Sequence, residues 1–128
     1  MEIVFSFLIG RKINLTKFVI DNLFQSFMTF NQIKEKLKDK TIGIAGCGGL
    51  GSNCAVALAR VGLGNIIIAD FDKIEESNLN RQYFFYNQIG MPKAIALKEN
   101  ISQINPSTNV MEHDIFLTED CIREIYKD

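Results

Sequence analysis

The sequence TIGIAGCGGLG at residues 41–51 begins with a short apolar run and continues into four glycines, Gly46, Gly48, Gly49 and Gly51. The part Ile42–Ala45 is apolar and contains two β-branched isoleucines, which predicts a strand buried in a parallel sheet. The residues after the glycines carry apolar side chains at helical spacing, namely Ala55, Val56, Leu58 and Ala59. A strand, a tight glycine turn and a helix form the βα unit of nucleotide-binding folds. We therefore predict an α/β domain with a phosphate-binding loop.

Three of these glycines have separate predicted tasks. Gly46 makes the turn, Gly48 lets the backbone approach a phosphate without a Cβ in the way, and Gly51 lets the helix pack closely on the strand. The helix N-terminus then presents free N–H groups and the positive end of its dipole to an anion. Cys47 lies inside the loop, and we interpret it as a small side chain that faces the turn rather than as a catalytic thiol.

Composition limits the class of protein. The chain has 128 residues, 47% hydrophobic content and a net charge of −1. These values suit one small globular domain and give no electrostatic argument for a nucleic-acid partner. The apolar run Ile3–Ile9 contains Ser6 and is too short to span a bilayer, and Glu2 stands where a secretory signal would carry a basic residue. We expect a cytoplasmic protein without a membrane partner. Its three cysteines form no Cys-x-x-Cys pair, so they predict neither a disulfide framework nor a zinc site.

The N-terminal part of the chain carries an apolar stripe. Between Thr16 and Lys38, apolar side chains recur at steps of three and four residues, which predicts one or two helices: Val19, Leu23, Phe27, Phe30, Ile33 and Leu37. We favour the interpretation that this stripe covers the sheet of its own domain. A dimer face or a docking surface for a protein substrate is the alternative.

The second predicted strand, Asn65–Ala69, ends in an acid, Asp70. In a dinucleotide-binding fold, an acid at this strand tip accepts hydrogen bonds from ribose hydroxyls, whether the ligand is NAD or ATP. The stretch of residues 70–82 that follows is long and polar, whereas the chain of an oxidoreductase usually continues directly into a helix at this place. Arg81 lies at the end of this stretch, and Lys93 follows Pro92, which we predict to begin a helix that ends near residue 103.

Arg81 and Lys93 are the cations of the predicted site. A guanidinium fork and an ammonium point charge near a glycine loop are what a triphosphate needs, because they hold the phosphoryl oxygens and balance charge on leaving pyrophosphate. A third strand is predicted at Asn109–Asp114, and Thr118 is predicted to cap a last helix. His113, the only histidine, is interpreted as a sheet-end or surface residue.

Four motifs together resemble the ThiF/MoeB/HesA family, which is related to the ubiquitin-activating enzymes. They are Gly46-x-Gly-Gly-Leu-Gly51, Asp70-x-Asp72, Ser77-Asn-Leu-Asn-Arg-Gln82 and Gly90-x-Pro-Lys93. Within the family, the sequence looks most like the ThiF branch of thiamine biosynthesis. The resemblance implies a partial Rossmann-like ATP-binding domain at residues 31–128, with three parallel strands and helices. Residues 1–30 are then an N-terminal arm and helix that precede it.

The resemblance also implies an activity. The C-terminal glycine carboxylate of a ubiquitin-like sulfur carrier attacks the α-phosphate of ATP, which yields an acyl-adenylate and pyrophosphate. This step relies on positioning and charge stabilisation. The implied catalytic residues are Arg81 and Lys93. The implied nucleotide-binding residues are Gly46, Gly48, Gly49, Gly51, Asp70, Asn78, Arg81 and Lys93, with Asp72 as a weaker, structural candidate.

The sequence also departs from the family pattern. The family's magnesium ligand, a cysteine-bearing segment and the surface that grips the carrier tail are expected beyond Asp128, and no Arg-rich motif occurs between Thr16 and Phe30. We therefore expect a fragment or truncated product that is poorly active or inactive alone. The resemblance further implies a homodimer.

Several alternatives remain open at this point. A molybdopterin-carrier activator and a tRNA-modifying dehydratase of the same family are alternatives that the sequence alone does not separate from the ThiF branch. An NAD-binding redox domain shares the glycine fingerprint, although Arg81 and Lys93 argue against it because a dinucleotide pyrophosphate can be met by the helix end alone. A non-enzymatic module that docks a partner through the phenylalanine-rich N-terminal stripe is the third class.

Overall fold

A computed structural model of the chain describes residues 29–126. It contains four α-helices and three strands in that range: α1 (Phe30–Leu37), β1 (Thr41–Ala45), α2 (Gly49–Arg60), β2 (Asn65–Ala69), α3 (Lys93–Ile104), β3 (Asn109–His113) and α4 (Glu119–Ile125). Two 3-10 turns, Glu76–Asn78 and Tyr86–Gln88, lie between β2 and α3. The predicted bounds of all three strands agree with these within one residue.

The three strands form one parallel sheet with β2 in the centre. Residue Ile66 of β2 is in register with Ile42 of β1 and with Val110 of β3. A strand covered on both faces has no solvent side, which explains why β2 is a continuous apolar run rather than an alternating one. The expected α/β, Rossmann-like architecture with three parallel strands is confirmed.

Helices cover both faces of this sheet. Side chains at alternate strand positions point to opposite faces, and Ile44, Ile66 and Ile68 accordingly belong to the main core together with apolar residues of α2 and α3. Ile67 and its neighbours on the other face pack against the smaller cluster beneath α4 and Tyr126. Thr118 caps α4 as predicted, because its Oγ1 accepts a hydrogen bond from the backbone N–H of Cys121.

The helix α1 begins with a capping box at Thr29, whose backbone N–H donates to Gln32 Oε1 at 2.9 Å. Its last turn packs on the turn between α2 and β2, where Gly64 N–H donates to the carbonyl oxygen of Leu37 at 3.0 Å. Phe30 is 58% exposed, and Leu37 reaches the main core only partly buried. Within this helix, only Leu37 therefore fits the favoured interpretation, in which the apolar stripe covers the sheet.

The rest of the stripe, from Thr16 to Met28, and the N-terminal arm lie outside the described residues. The predicted boundary at residues 30 and 31 falls in the first turn of α1. Within residues 29–126 the longest helices, α2 and α3, have 12 residues each, and none of the helices there is long and apolar enough to cross a membrane.

Candidate nucleotide-binding site

The glycine loop connects β1 to α2 at the carboxyl end of the sheet. Gly46 has a φ of 90°, a conformation that side chains disfavour, and its N–H continues the sheet by donating to the carbonyl oxygen of Ala69 at 2.8 Å. A Cβ on Gly51 would lie 1.8 Å from the carbonyl oxygen of Gly46 and 3.3 Å from Cγ2 of Ile44. The predicted tasks of Gly46 in the turn and of Gly51 in close packing are thus visible in the structure.

Gly48 has a different environment, because a Cβ at this residue would meet no atom within 4 Å. It is the N-cap of α2, and the first N–H that bonds back to it is that of Ser52. The N–H groups of the first turn of a helix have no intrahelical acceptor and carry the positive end of the helix dipole. The space over Gly48 is therefore open, and it adjoins the helix end whose free N–H groups suit an anion such as a phosphate.

Asp70 follows β2 directly and is buried, with 8% of its surface exposed. Its Oδ2 accepts a hydrogen bond from the backbone N–H of Cys47 in the glycine loop at 2.5 Å, and its Oδ1 accepts one from the N–H of Asp72 at 2.7 Å. A carboxylate has about four acceptor positions, so two of them remain for ligand hydroxyls. Asp70 thus holds the loop in place and keeps capacity to bind a ribose.

Lys93 begins α3, and its ammonium group donates to Oδ2 of Asp72 at 2.8 Å. The Lys93 side chain is only 7% exposed, whereas that of Asp72 is 50% exposed. The segment after β2 meets the segment before α3 in an antiparallel pairing, in which Ile74 donates to Met91 and accepts from Gly90. This pairing brings the start of α3 to the carboxyl end of the sheet, beside Asp70 and the glycine loop.

The thiol of Cys47 lies inside this cluster and is buried. Burial is the main cause that raises the pKa of the Cys47 thiol far above its ordinary value of 9.0; the charge of Asp70 raises it further, and the charge of Lys93 lowers it. A protonated, inaccessible thiol is a poor nucleophile. The interpretation of Cys47 as a packing residue therefore agrees with its surroundings.

Arg81 lies across the first turn of α2. Its Cγ and Cδ are 3.6 and 3.7 Å from the position that a Cβ on Gly49 would take, so the stem of the side chain covers this glycine. The Nη1 group donates to the carbonyl oxygen of Ser77 at 3.0 Å and to Oδ1 of Asn80 at 2.9 Å. The N–H groups on Nε and Nη2 have no acceptor within residues 29–126. Arg81 therefore offers free guanidinium donors beside the N-terminus of α2.

Asn78 is buried below Arg81 and organises the turn that carries it. Its Oδ1 accepts from the backbone N–H of Glu75 at 3.0 Å, and its carbonyl oxygen accepts from the N–H groups of Arg81 and Gln82. Its Nδ2 has one contact, a long one of 3.5 Å to Oγ of Ser77. A phosphate contact of Asn78 stays a prediction.

Ser52 and Asn53 are contact residues of this site that the sequence did not identify. Ser52 Oγ accepts a hydrogen bond from the N–H of Tyr83 at 3.0 Å, and Asn53 Nδ2 donates to the carbonyl oxygen of Arg81 at 2.8 Å. Both bonds join residues that are far apart in sequence. The only local signal was the position of two polar side chains directly after Gly51.

The site as a whole brings together backbone N–H groups, a buried ammonium group, a guanidinium group and one carboxylate suited to hydroxyls. This set can bind a polyphosphate and stabilise charge that develops on it. Among the described residues, no three His, Cys, Asp or Glu side chains come close enough to hold a metal ion. The magnesium ligand expected beyond Asp128 stays a prediction.

Comparison with known proteins gives consistent results. A model of the ThiF family matches residues 12–128. Ubiquitin-like modifier-activating enzyme 5 of Caenorhabditis briggsae is 37% identical over 84 residues, which are 66% of this chain and 19% of that protein. The E. coli tRNA N6-threonylcarbamoyladenosine dehydratase TcdA superposes with a TM-score of 0.69 at 35% identity, over 80% of this chain and 41% of that one.

A structure of E. coli MccB with ATP superposes with a TM-score of 0.66 at 33% identity, over 72% of this chain and 28% of that one. The chain thus spans about a fifth of the length of the enzyme 5 relative and less than half of each of these two solved chains.

Proposed function

The chain belongs to the ThiF family, and on this basis we propose that it binds ATP at the glycine loop and activates the C-terminal carboxylate of a ubiquitin-like protein as an acyl-adenylate. The observation that carries the proposal is that two cations lie beside the glycine loop and the N-terminus of α2: the stem of Arg81 lies against Gly49, and the ammonium group of Lys93 is near enough to act on the Cys47 thiol. A dinucleotide pyrophosphate needs only the helix end. Two added cations suit the larger charge of a triphosphate.

The reaction requires little covalent help from the protein. A carboxylate oxygen of the carrier forms a bond to the α-phosphorus of ATP, while the bond from that phosphorus to the bridging oxygen breaks and its electron pair leaves with pyrophosphate. No general base is needed, because the attacking carboxylate is already ionised near neutral pH. The free N–H groups of Arg81 and the ammonium group of Lys93 stabilise the negative charge on the phosphates, and Asp70 holds the ribose hydroxyls.

The ion pair between Lys93 and Asp72 prepares the site for this role. A buried ammonium group is unfavourable without a partner, and Asp72 compensates its charge in the absence of a nucleotide. Because the Asp72 side chain is half exposed, it holds the ammonium group from the solvent side. The ammonium group of Lys93 is thereby held inside the protein, where its charge acts on the Cys47 thiol of the loop.

An aromatic pair beside Asp70 offers a surface for the base. The rings of Phe71 and Phe116 are in edge-to-face contact with centroids 4.9 Å apart, and the two residues are 56% and 65% exposed. Exposed aromatic side chains next to a carboxylate that suits a ribose are favourable for a stacked purine. This arrangement supports a nucleotide ligand rather than a simple phosphate ion.

The partner is the finer part of the proposal. A ThiS-like sulfur carrier of thiamine biosynthesis is the partner implied by the motifs, and a homodimer in the cytoplasm is the expected assembly. The likeness to ubiquitin-like modifier-activating enzyme 5 favours a second candidate, activation of a ubiquitin-like modifier. Both candidates share the adenylation chemistry and differ in the protein that presents the carboxylate.

A thermal-shift titration tests the nucleotide part. Mg·ATP and NAD are added separately to the unchanged chain, to Arg81→Ala and to the control Arg123→Ala, whose exposed ion pair with Glu119 contributes little. At 100 times Kd, a ligand that binds only the folded state adds about 2.7 kcal/mol, which corresponds to roughly 10 °C for a domain of this size. We expect this shift with ATP, a clearly smaller shift in Arg81→Ala at the same ATP concentration and the full shift in Arg123→Ala. Stabilisation by NAD alone would contradict the proposal.

ATP–pyrophosphate exchange tests the partner. The chain is incubated with labelled pyrophosphate, Mg·ATP and either a sulfur carrier of the thiamine type or a ubiquitin-like modifier. Exchange with the sulfur carrier alone supports the thiamine role, and exchange with the modifier alone supports the second candidate. Binding of ATP without exchange for any carrier would restrict this chain to the nucleotide-binding part of the reaction.

A further inference from the structure

Two consecutive side chains at the start of α2 connect the glycine loop to the segment that carries Arg81. Ser52 is fully buried, and its Oγ donates to the carbonyl oxygen of Gly48 at 2.7 Å while it accepts from the N–H of Tyr83 at 3.0 Å. The hydroxyl thus serves both as a donor and as an acceptor inside the protein. One bond ends in the loop and the other ends in the segment after Arg81.

Asn53 makes a second connection, to the backbone of Arg81 itself. Its Nδ2 donates one hydrogen to the carbonyl oxygen of Gly49 at 2.6 Å and the other to the carbonyl oxygen of Arg81 at 2.8 Å. Asparagine is a weak helix former, so its position at the start of the second turn of α2 is not explained by helix propensity. The amide instead bridges the helix N-terminus and the backbone of Arg81.

The backbone around Arg81 is therefore held at two points by one turn of α2. Asn53 bonds to the carbonyl oxygen of Arg81, and Ser52 bonds to the N–H of Tyr83 two residues later. The stem of Arg81 lies over Gly49 as a result, within ordinary contact distance of a Cβ there. An arginine side chain has many rotamers, and holding its backbone against the loop reduces the volume that the guanidinium group samples.

We propose that Asn53 is a positioning residue for nucleotide binding, which acts through Arg81 by tying its carbonyl oxygen to the phosphate loop, with Ser52 as the buried second point of attachment. The proposal rests on the proposed function, since it assigns Asn53 a role toward the phosphates that Arg81 meets. Asn53 itself does not touch the nucleotide. Its contribution is the placement of the guanidinium group.

The exposure of the two residues separates this role from a general contribution to folding. Asn53 is exposed, so water can replace its amide as the partner of the two carbonyl oxygens when Asn53 is substituted. The melting temperature is therefore expected to stay within about 2 °C of that of the unchanged chain. Ser52 is fully buried, and its removal would leave the Tyr83 N–H without its acceptor. Asn53→Ala is therefore the informative variant.

The first experiment is a double-mutant cycle on ATP affinity, measured by calorimetry for Asn53→Ala, Arg81→Ala and the double variant. Asn31→Ala is the matched control, because Asn31 is an exposed asparagine in the first turn of α1 and its side chain makes no hydrogen bond within residues 29–126. We expect Asn53→Ala to weaken ATP binding on the order of tenfold. The affinity for adenosine, which has no phosphate, stays unchanged, and Asn53→Ala has no further effect once Arg81 is alanine.

The second experiment tests, without nucleotide, whether the hydrogen bond from Asn53 to Arg81 holds the backbone of Arg81 in place. Trypsin cleaves after exposed arginines in segments that open locally, and we expect cleavage between Arg81 and Gln82 to be several-fold faster in Asn53→Ala than in Asn31→Ala. A substitution without effect on either cleavage or ATP affinity overturns the proposal. So does an equal loss of ATP affinity in the presence and absence of the Arg81 side chain, because Asn53 then acts independently of it.

The outcomes separate this inference from the proposed function. ATP binding that depends on Arg81 but not on Asn53 refutes the positioning role alone. No ATP binding by the unchanged chain refutes the proposed function, and the role of Asn53 toward a phosphate is refuted with it, whatever the rate of cleavage.

Discussion

The substitution Gly51→Ala tests whether the helix after the glycine loop depends on close contact with the loop backbone. The added Cβ would lie 1.8 Å from the carbonyl oxygen of Gly46 and 3.0 Å from its carbonyl carbon. Neither group is the end of a flexible side chain, so the loop and the helix must separate by about 1 Å.

The expected cost follows from this geometry. Overpacking that moves backbone atoms costs about 3 kcal/mol at the upper end of the usual range, and that is a large part of the total stability of a small domain. For a domain of this length, about 3 kcal/mol lowers the melting temperature by roughly 10 °C. We expect this decrease in a thermal unfolding experiment followed by circular dichroism, without nucleotide.

Gly48→Ala is the matched control in the same loop. Its Cβ would meet no atom within 4 Å, and the residue has an extended backbone with a φ of −75° that alanine adopts. We expect a melting temperature within about 2 °C of the unchanged chain, together with loss of the stabilisation by ATP, because the methyl group occupies the space proposed for a phosphate. If the two variants melt at the same temperature, the contact between Gly51 and Gly46 is not the constraint described here.

Two further predictions concern buried groups. The free energy of unfolding, measured between pH 7.5 and 10.5, should be highest below the ordinary thiol pKa of 9.0 and should fall above it, because burial raises the pKa of Cys47 and only the unfolded chain ionises there. Cys47→Ala should make this decrease smaller. If the curves of the variant and the unchanged chain are parallel, the buried Cys47 thiol is not its cause. Asn100→Ala should lower the free energy of unfolding in urea by about 2 kcal/mol, since the buried Gln88 side chain loses its partner at 2.7 Å. The control Ser102→Ala, on the exposed face of α3, should change it by less than about 0.5 kcal/mol. Equal effects of the two variants would refute the importance of the pair between Gln88 and Asn100.

Much of the fold was predictable because its signals are local. The apolar run of β2 and the glycine spacing after β1 reflect the period of a buried strand and the few residues that adopt a tight turn. Thr118 indicated the start of α4 because a helix cap depends on neighbours three residues away. The presence of an acid at the tip of β2 and of two later cations was equally visible in the sequence.

The apolar stripe shows the limit of local patterns. Helical periodicity indicated a helix over Phe30 and Leu37, and the helix is present. Periodicity does not say which surface the helix meets, and α1 packs its end on the turn at Gly64 instead of lying along the sheet. The choice depended on glycines in a different segment, where the absence of a Cβ permits the approach: a Cβ on Gly64 would lie 1.6 Å from the carbonyl oxygen of Lys38.

By itself, the sequence determined the βα order, the glycine loop and the identity of the charged residues of the site, because each depends on spacing within a few residues. Only the tertiary structure decided that Asp72 pairs with Lys93 and that Asn53 holds the backbone of Arg81. These pairs depend on the path of residues 70–92, whose two ends meet in an antiparallel bridge between Lys73 and Pro92 before α3 begins. That path depends on contacts between residues that are distant in sequence, so no short-range pattern predicts it.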